Sequence, residues 1–173
     1  MKFQPFLEKA TDEETAQARA AVDEVLSAYG RIGRDLILPL LHAVQDACGW
    51  IPEEAMKYMS ERNKVPFSDI YGVATFYELL STNREGKHFI RVCDDVSCFL
   101  GGSSDILAVL EEELGIKRGE TTKDGMFTIK VMPCLGVCEK APAMLIDQEV
   151  HGNLTCETAR EWVRRMWYAD SAQ

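Results

Sequence analysis

Four of the six cysteines fall in two close pairs, and each pair follows a predicted strand. Cys93 and Cys98 read C-x4-C in VCDDVSC, Cys134 and Cys138 read C-x3-C in PCLGVC, and 35 residues separate the pairs. A fold that sets these strand ends side by side could bring two loops together and present four thiolates at one point. Four thiolates at one point are what a [2Fe–2S] cluster needs, two for each iron.

Other chemistries compete for the same residues. Structural zinc remains open, although it usually takes tight C-x2-C knuckles rather than two wide loops. A thioredoxin-type redox pair needs C-x-x-C, and none occurs. The plant-type ferredoxin run does not continue after Cys98. His88 and His151 lack partners at metal spacing, so a mixed His/Cys centre is not expected. Gly101, Gly102 and Gly136 flank the pairs and are expected to aim N–H groups at sulfur. Cys48 and Cys156 read as small buried side chains, and His42 as a core or interface histidine. Phe76, Tyr77 and Tyr71 read as core and interface residues.

The chain has no G-x-G-x-x-G, Walker loop or nucleophile elbow, so nothing in it points to a nicotinamide, flavin or phosphate site of its own. Its formal net charge of −9 argues against nucleic acid as a partner. The start, MKFQPFLEKATDEE, turns acidic at once with no apolar run, so no signal peptide is expected. The longest apolar stretch, 36–44, is interrupted by Pro39 and His42, so no direct membrane insertion is expected. A soluble chain, cytoplasmic in a bacterium, is the expectation, and six cysteines in that reducing compartment favour metal chemistry over disulfides.

The pattern changes character near residue 83. Before it, Thr11 and Glu14 form a capping box ahead of an apolar stripe of Ala18, Ala21, Val22, Val25 and Leu26. A second helix is predicted over 35–48, with Gly49 ending it. A third runs from Trp50 through Met59, and a fourth is capped by Ser68 and continues through Leu80. After Asn83–Gly86, strands are predicted at 88–92 and 127–131, with a helix between them. A hairpin follows near 143–150, and a last helix, capped by Thr155, runs through Met166. The expectation is an α+β (or α/β) chain: an N-terminal helical bundle over 1–82 that docks a partner, then a β-α-β-β-α sandwich of thioredoxin-like order over 85–173.

LHAVQDACGWIP (41–52), GVATFYELL (72–80), VCDDVSC (92–98), LGIKRGETTKDGMFT (114–128) and CLGVCEKAP (134–142) carry a specific resemblance. With these segments the chain resembles the family of small [2Fe–2S] subunits of NADH:quinone oxidoreductases, which has relatives in NAD(P)-linked hydrogenases and formate dehydrogenases. The resemblance implies a thioredoxin-like ferredoxin domain holding one [2Fe–2S] cluster on Cys93, Cys98, Cys134 and Cys138. It also implies a flavoprotein partner that carries FMN and binds NAD(P)H, with further iron–sulfur subunits beyond it. This chain would then be the one-electron carrier of an oxidoreductase complex, oxidising no NADH alone and lying at the cytoplasmic face if that complex is membrane-bound. The rival is a structural adaptor whose metal site only stabilises a docking domain. One departure stands out: Asn63-Lys64 replaces the apolar residue and glycine that members often carry there, which predicts a weaker helix stop.

Overall fold

The structure, a computed structural model, describes residues 9–171; residues 1–8, on which most of the signal-peptide expectation rests, lie outside them. The chain divides into two compact units, one ending at Arg84 and one beginning at Glu85. Among the described residues no helix is long and apolar enough to cross a membrane.

The first unit holds four helices: α1 (Asp12–Tyr29), α2 (Ile37–Cys48), α3 (Glu53–Asn63) and α4 (Phe67–Phe76). Their apolar faces meet in one core containing Ala18 and Val22 of α1, Leu40, Leu41 and Val44 of α2, Met56 and Met59 of α3, and Ile70 of α4. Each such large side chain contributes on the order of 2 kcal/mol when fully buried. The capping box at Thr11 forms as predicted, and Glu14 does more than complete it. Its carboxylate also accepts from Arg84 (2.6 and 2.7 Å) and from the Trp50 indole N–H (3.2 Å). Burial pushes the Glu14 carboxyl up, but the hydrogen bonds from Thr11, Arg84 and Trp50 outweigh it and hold it at about 2.

Two predicted boundaries move. Helix α4 begins after Pro66 rather than at a Ser68 cap, and it ends at Phe76 instead of Leu80. The cause of the early end lies on α2. The Gln45 side chain donates to the Leu79 carbonyl and accepts from the Ser81 N–H, both at 2.7 Å, which holds the turn that follows Tyr77 and leaves Leu80 in the core. Helix α3 runs past Met59 to Asn63, and Lys64 takes the left-handed conformation (φ 56°) that a glycine adopts more easily. Asn63 stops the helix by other means. Buried, its amide accepts from the Gly33 N–H (2.7 Å) and donates to the Gly33 carbonyl (2.8 Å), fixing the α1–α2 connection. His42 is exposed on α2, not part of the core. Phe76 is 77% exposed, whereas Tyr71 stacks on Phe67 beside the core.

The second unit is a four-stranded sheet with three helices, α5 (Val96–Leu100), α6 (Ser103–Leu114) and α7 (Cys156–Ser171). Strands β1 (His88–Cys93), β2 (Phe127–Met132), β3 (Met144–Ile146) and β4 (Glu149–His151) lie in the order β2-β1-β3-β4. Strands β1 and β2 are parallel, with His88 opposite Phe127 and Cys93 opposite Met132; β3 runs antiparallel to both β1 and β4. Ile90, Val92, Phe127, Ile129, Met144 and Ile146 point to one face, where Ile106, Leu107 and Leu110 of α6 and Ala159 and Val163 of α7 cover them. This is the α+β architecture expected for the C-terminal part, with α5 added. Helix α7 outruns the predicted end at Met166.

The far end of α7 is tied to the sheet through His88. Its Nδ1 lies 2.9 Å from Asp147 on the β3–β4 turn and its Nε2 2.8 Å from Asp170 on α7, while Lys87 pairs with Asp170. Burial opposes protonation of His88, but hydrogen bonds to both carboxylates more than offset it, so its pKa is raised. A raised folded-state value means that the clamp contributes fully below the unfolded histidine pKa of about 6.5 and fades as pH rises through the folded value. His88→Gln is therefore expected to lower the melting temperature more at pH 6 than at pH 9. Equal losses at the two pH values would show that the clamp does not depend on protonation.

Candidate metal centre

Parallel pairing places both cysteine-bearing loops at the same end of the sheet. Cys93 closes β1, and Cys134 lies two residues beyond β2. The loops are sewn together by backbone bonds from Cys93 N–H to the Ala143 carbonyl and from Asp94 N–H to the Met132 carbonyl, both 3.1 Å. Cys93, Cys98 and Ala143 are buried together, with Leu135, Val137 and Ala141 packed against them. Cys134 and Cys138 are exposed, their sulfurs 3.4 Å apart. The four predicted site residues are thus brought to one locality as two pairs, one inside and one facing out.

The second residue of the first pair is not on a loop. Asp95 caps a short helix, its Oδ1 accepting from the Val96 N–H at 2.8 Å, and Cys98 sits on the buried side of that helix, α5. An aspartate ahead of Val-Ser-Cys-Phe-Leu is a helix-start signal that the loop expectation overlooked. The helix also consumes two of the donors assigned to sulfur: the Gly101 and Gly102 N–H groups bond the Ser97 and Phe99 carbonyls. Gly136 does serve the sulfurs. With φ at 78°, which glycine tolerates, it turns its N–H onto the Cys134 sulfur at 3.3 Å.

As free thiols, Cys98 and Cys134 both resist ionisation. Burial raises the Cys98 pKa to about 11, with help from the Cys93 thiol beside it and against a backbone hydrogen bond from Ala143. The Gly136 N–H favours the Cys134 thiolate, but the Cys138 sulfur, with burial and charge beside it, raises its pKa on balance. A cationic metal reverses that balance, since it takes sulfur as thiolate. Among the described residues, no group of three or more His, Cys, Asp or Glu side chains converges to hold one ion. Sulfur in two separate pairs suits a two-iron centre, where each iron takes two protein ligands, better than a mononuclear zinc site, which takes four. The donor set therefore fits a [2Fe–2S] cluster.

One positioning residue was missed. The turn after Cys138 (138–140) packs against the β4–α7 loop, where the Asn153 N–H donates to the Lys140 carbonyl at 2.6 Å. A Cβ on Gly152 would lie 2.5 Å from Lys140 Cβ and 2.8 Å from its carbonyl oxygen. A glycine in sequence signals close approach, but what it approaches is a tertiary fact. The other candidates lie elsewhere. Cys48 is half-buried and donates to the Glu14 carbonyl at 3.5 Å, Cys156 is exposed at the start of α7 rather than buried, and the His151 ring packs against Trp162 at a tilt of 47°.

Comparison with known proteins agrees with this geometry. The family described as thioredoxin-like [2Fe-2S] ferredoxin matches residues 22–166, and the chain belongs to it. Curated relatives include the E subunit of NADH-quinone oxidoreductase from Escherichia coli strain K12, 39% identical over 151 residues that cover 87% of this chain and 90% of the relative. The Pseudomonas aeruginosa protein of the same name is 43% identical over 114 residues, or 66% and 69% of the two chains. Among solved structures, an NAD+-reducing [NiFe]-hydrogenase in its H2-reduced state superposes with a TM-score of 0.67 at 22% identity. That likeness, over 77% of this chain and 22% of the hydrogenase chain, shows the shared fold.

Gly152→Ala should force the Lys140 backbone back by about 1 Å, the gap between 2.5 Å and ordinary carbon contact. The shift propagates two residues to Cys138. The variant is expected to fold, as judged by circular dichroism, yet to lose its visible absorbance several-fold faster than wild type under an iron chelator. An unchanged half-life would mean that the turn does not position Cys138.

Proposed function

We propose that this chain is the one-electron-transfer subunit of a flavin-dependent NAD(P)H oxidoreductase complex, holding one [2Fe–2S] cluster on Cys93, Cys98, Cys134 and Cys138. The observation that carries this reading is the placement of four cysteines at one end of the sheet, as a buried pair and an exposed pair, in a chain of this family. The names of its relatives support an NADH-linked complex as the host. When bound, such a cluster accepts and returns one electron at a time. The chain's own residues do the rest: Cys93 and Cys98 grip from inside the fold, Cys134 and Cys138 from the surface, and the Gly136 N–H offsets negative charge on sulfur. The flavoprotein subunit would carry FMN and the nucleotide and split the two electrons of a hydride, one for this chain and one for further iron–sulfur subunits. The helical unit, with Phe76 and Tyr77 standing exposed at the end of α4, is assigned to assembly with that partner. The complex is placed in the cytoplasm or at the cytoplasmic face of a membrane.

Purified without air, the chain should contain two irons and two acid-labile sulfides. Cys→Ser at 93, 98, 134 or 138 should abolish or strongly perturb the cluster spectrum, and Cys48→Ser and Cys156→Ser should preserve it. One zinc per chain would defeat the ligand assignment.

NADH added anaerobically should leave the visible absorbance of the isolated chain unchanged and bleach it once the cognate flavoprotein subunit is present. Bleaching of the chain alone would reveal a nucleotide site in this chain. No bleaching in a verified complex would favour the structural adaptor.

A further inference from the structure

Cys134 and Cys138 are exposed thiols whose sulfurs lie 3.4 Å apart. Two sulfurs must close to about 2.05 Å to bond, so a small movement of either side chain brings this pair together. The turn between them is free to give. Gly136 at its centre is exposed, and where its Cβ would stand there is open space, with nothing within 4 Å. Once one sulfur of such a pair has reacted, the other is already beside it, so a second step at the same place is intramolecular.

Proximity alone does not single out the outer pair, because the Cys98 thiol also has the Cys93 thiol beside it. Access separates the two pairs. Cys93 and Cys98 are each only 2% exposed, with Ala143, Leu135 and Val137 packed around them. Cys93 is further fixed by its N–H, which donates to the Ala143 carbonyl at 3.1 Å. A reagent in solution reaches the outer sulfurs and not the inner ones, and exchange at sulfur follows access. Cys156 is exposed as well, but it is a lone thiol outside this group.

We propose that Cys134 and Cys138 are an oxidative modification site, which a low-molecular-weight disulfide such as glutathione disulfide converts to an intrachain disulfide whenever no cluster holds them. One sulfur, as thiolate, attacks the S–S bond of the reagent and releases one small thiol. The second sulfur then attacks the mixed disulfide and releases the other. The two chain thiols lose two electrons and two protons and gain one S–S bond; the S–S bond of the reagent breaks, and its two halves leave as thiols. The consequence rests on the ligand reading above: the disulfide withdraws two of the four proposed ligands, so the oxidised chain accepts no cluster until a dithiol reduces it.

The test treats the full-length chain, stripped of metal by a chelator, with glutathione disulfide at about pH 8.5, near the ordinary thiol pKa. Alkylation, proteolysis and mass spectrometry then map the cysteines. The peptide carrying Cys134 and Cys138 is expected to be lighter by two hydrogens and unalkylated, Cys93 and Cys98 to be alkylated only after unfolding, and Cys156 to keep glutathione. In Cys134→Ser, Cys138 should stop at the mixed disulfide. Offered a cluster by a loaded scaffold protein without added thiol, the oxidised chain should gain at least tenfold less visible absorbance than the reduced chain, and should recover after dithiothreitol. A Cys93–Cys98 disulfide, a link between the pairs, or glutathione retained on both Cys134 and Cys138 would overturn the proposal, as would equal cluster uptake by oxidised and reduced chains. A reduced chain that takes up no cluster would remove the ligand reading, while a mapped Cys134–Cys138 disulfide would still uphold the modification site.

Discussion

The parallel pairing of β1 with β2 is the constraint from which the proposed metal centre follows. Parallel neighbours share one direction, so what leaves the end of one strand emerges beside what leaves the end of the other. The register sets Cys93 opposite Met132, and Cys134 emerges two residues later within reach. An antiparallel partner would have sent the second pair to the far end of the sheet. The crossover that parallel pairing requires is α5 with α6, and α6 covers the apolar face with Ile106, Leu107 and Leu110. The first cysteine pair, the core and the strand order are therefore parts of a single connection.

The two pairs sit in unlike surroundings. Cys93 and Cys98 are sealed by Ala143, Leu135 and Val137, while Cys134 and Cys138 face solvent on a loop held from outside by the Asn153–Lys140 bond and the close approach of Gly152. A rigid inner half keeps the geometry that sulfur ligation needs. An outer half on a short turn would leave the sulfurs of the proposed centre near the surface. A centre buried on all sides would be chemically safer and of little use for passing electrons.

Much of this was legible in sequence, and the limits have physical causes. Local signals carried through: the Thr11–Glu14 box, the Gly49 stop, the alternating strands that deliver Cys93 and precede Cys134. Long-range bonds did not. Helix α4 gives way to a turn where Gln45, more than thirty residues earlier, bonds Leu79 and Ser81, and nothing within 72–80 announces it. Burial of single residues was harder still. Cys156 and His42 read as candidates for the interior because of their neighbours, yet their positions on the helix turn them outward. Gly101 and Gly102 looked like donors to sulfur until α5 formed and claimed their N–H groups.

Asn63 shows how a departure from a family pattern acquires meaning. Replacing an apolar residue and a glycine by Asn-Lys should weaken the end of α3, and Lys64 does adopt a backbone conformation costing a non-glycine residue about 1 kcal/mol. The asparagine answers with two hydrogen bonds to Gly33 from a buried site, each contributing on the order of 1 kcal/mol. Asn63 thus supplies a tertiary stop that joins the end of α3 to the α1–α2 connection. Glu14 follows the same logic at the other end of the unit, joining the start of α1 to Trp50 and Arg84. A small helical unit has a limited apolar core, and these buried or half-buried polar clamps give its helices definite positions that apolar packing alone leaves loosely specified.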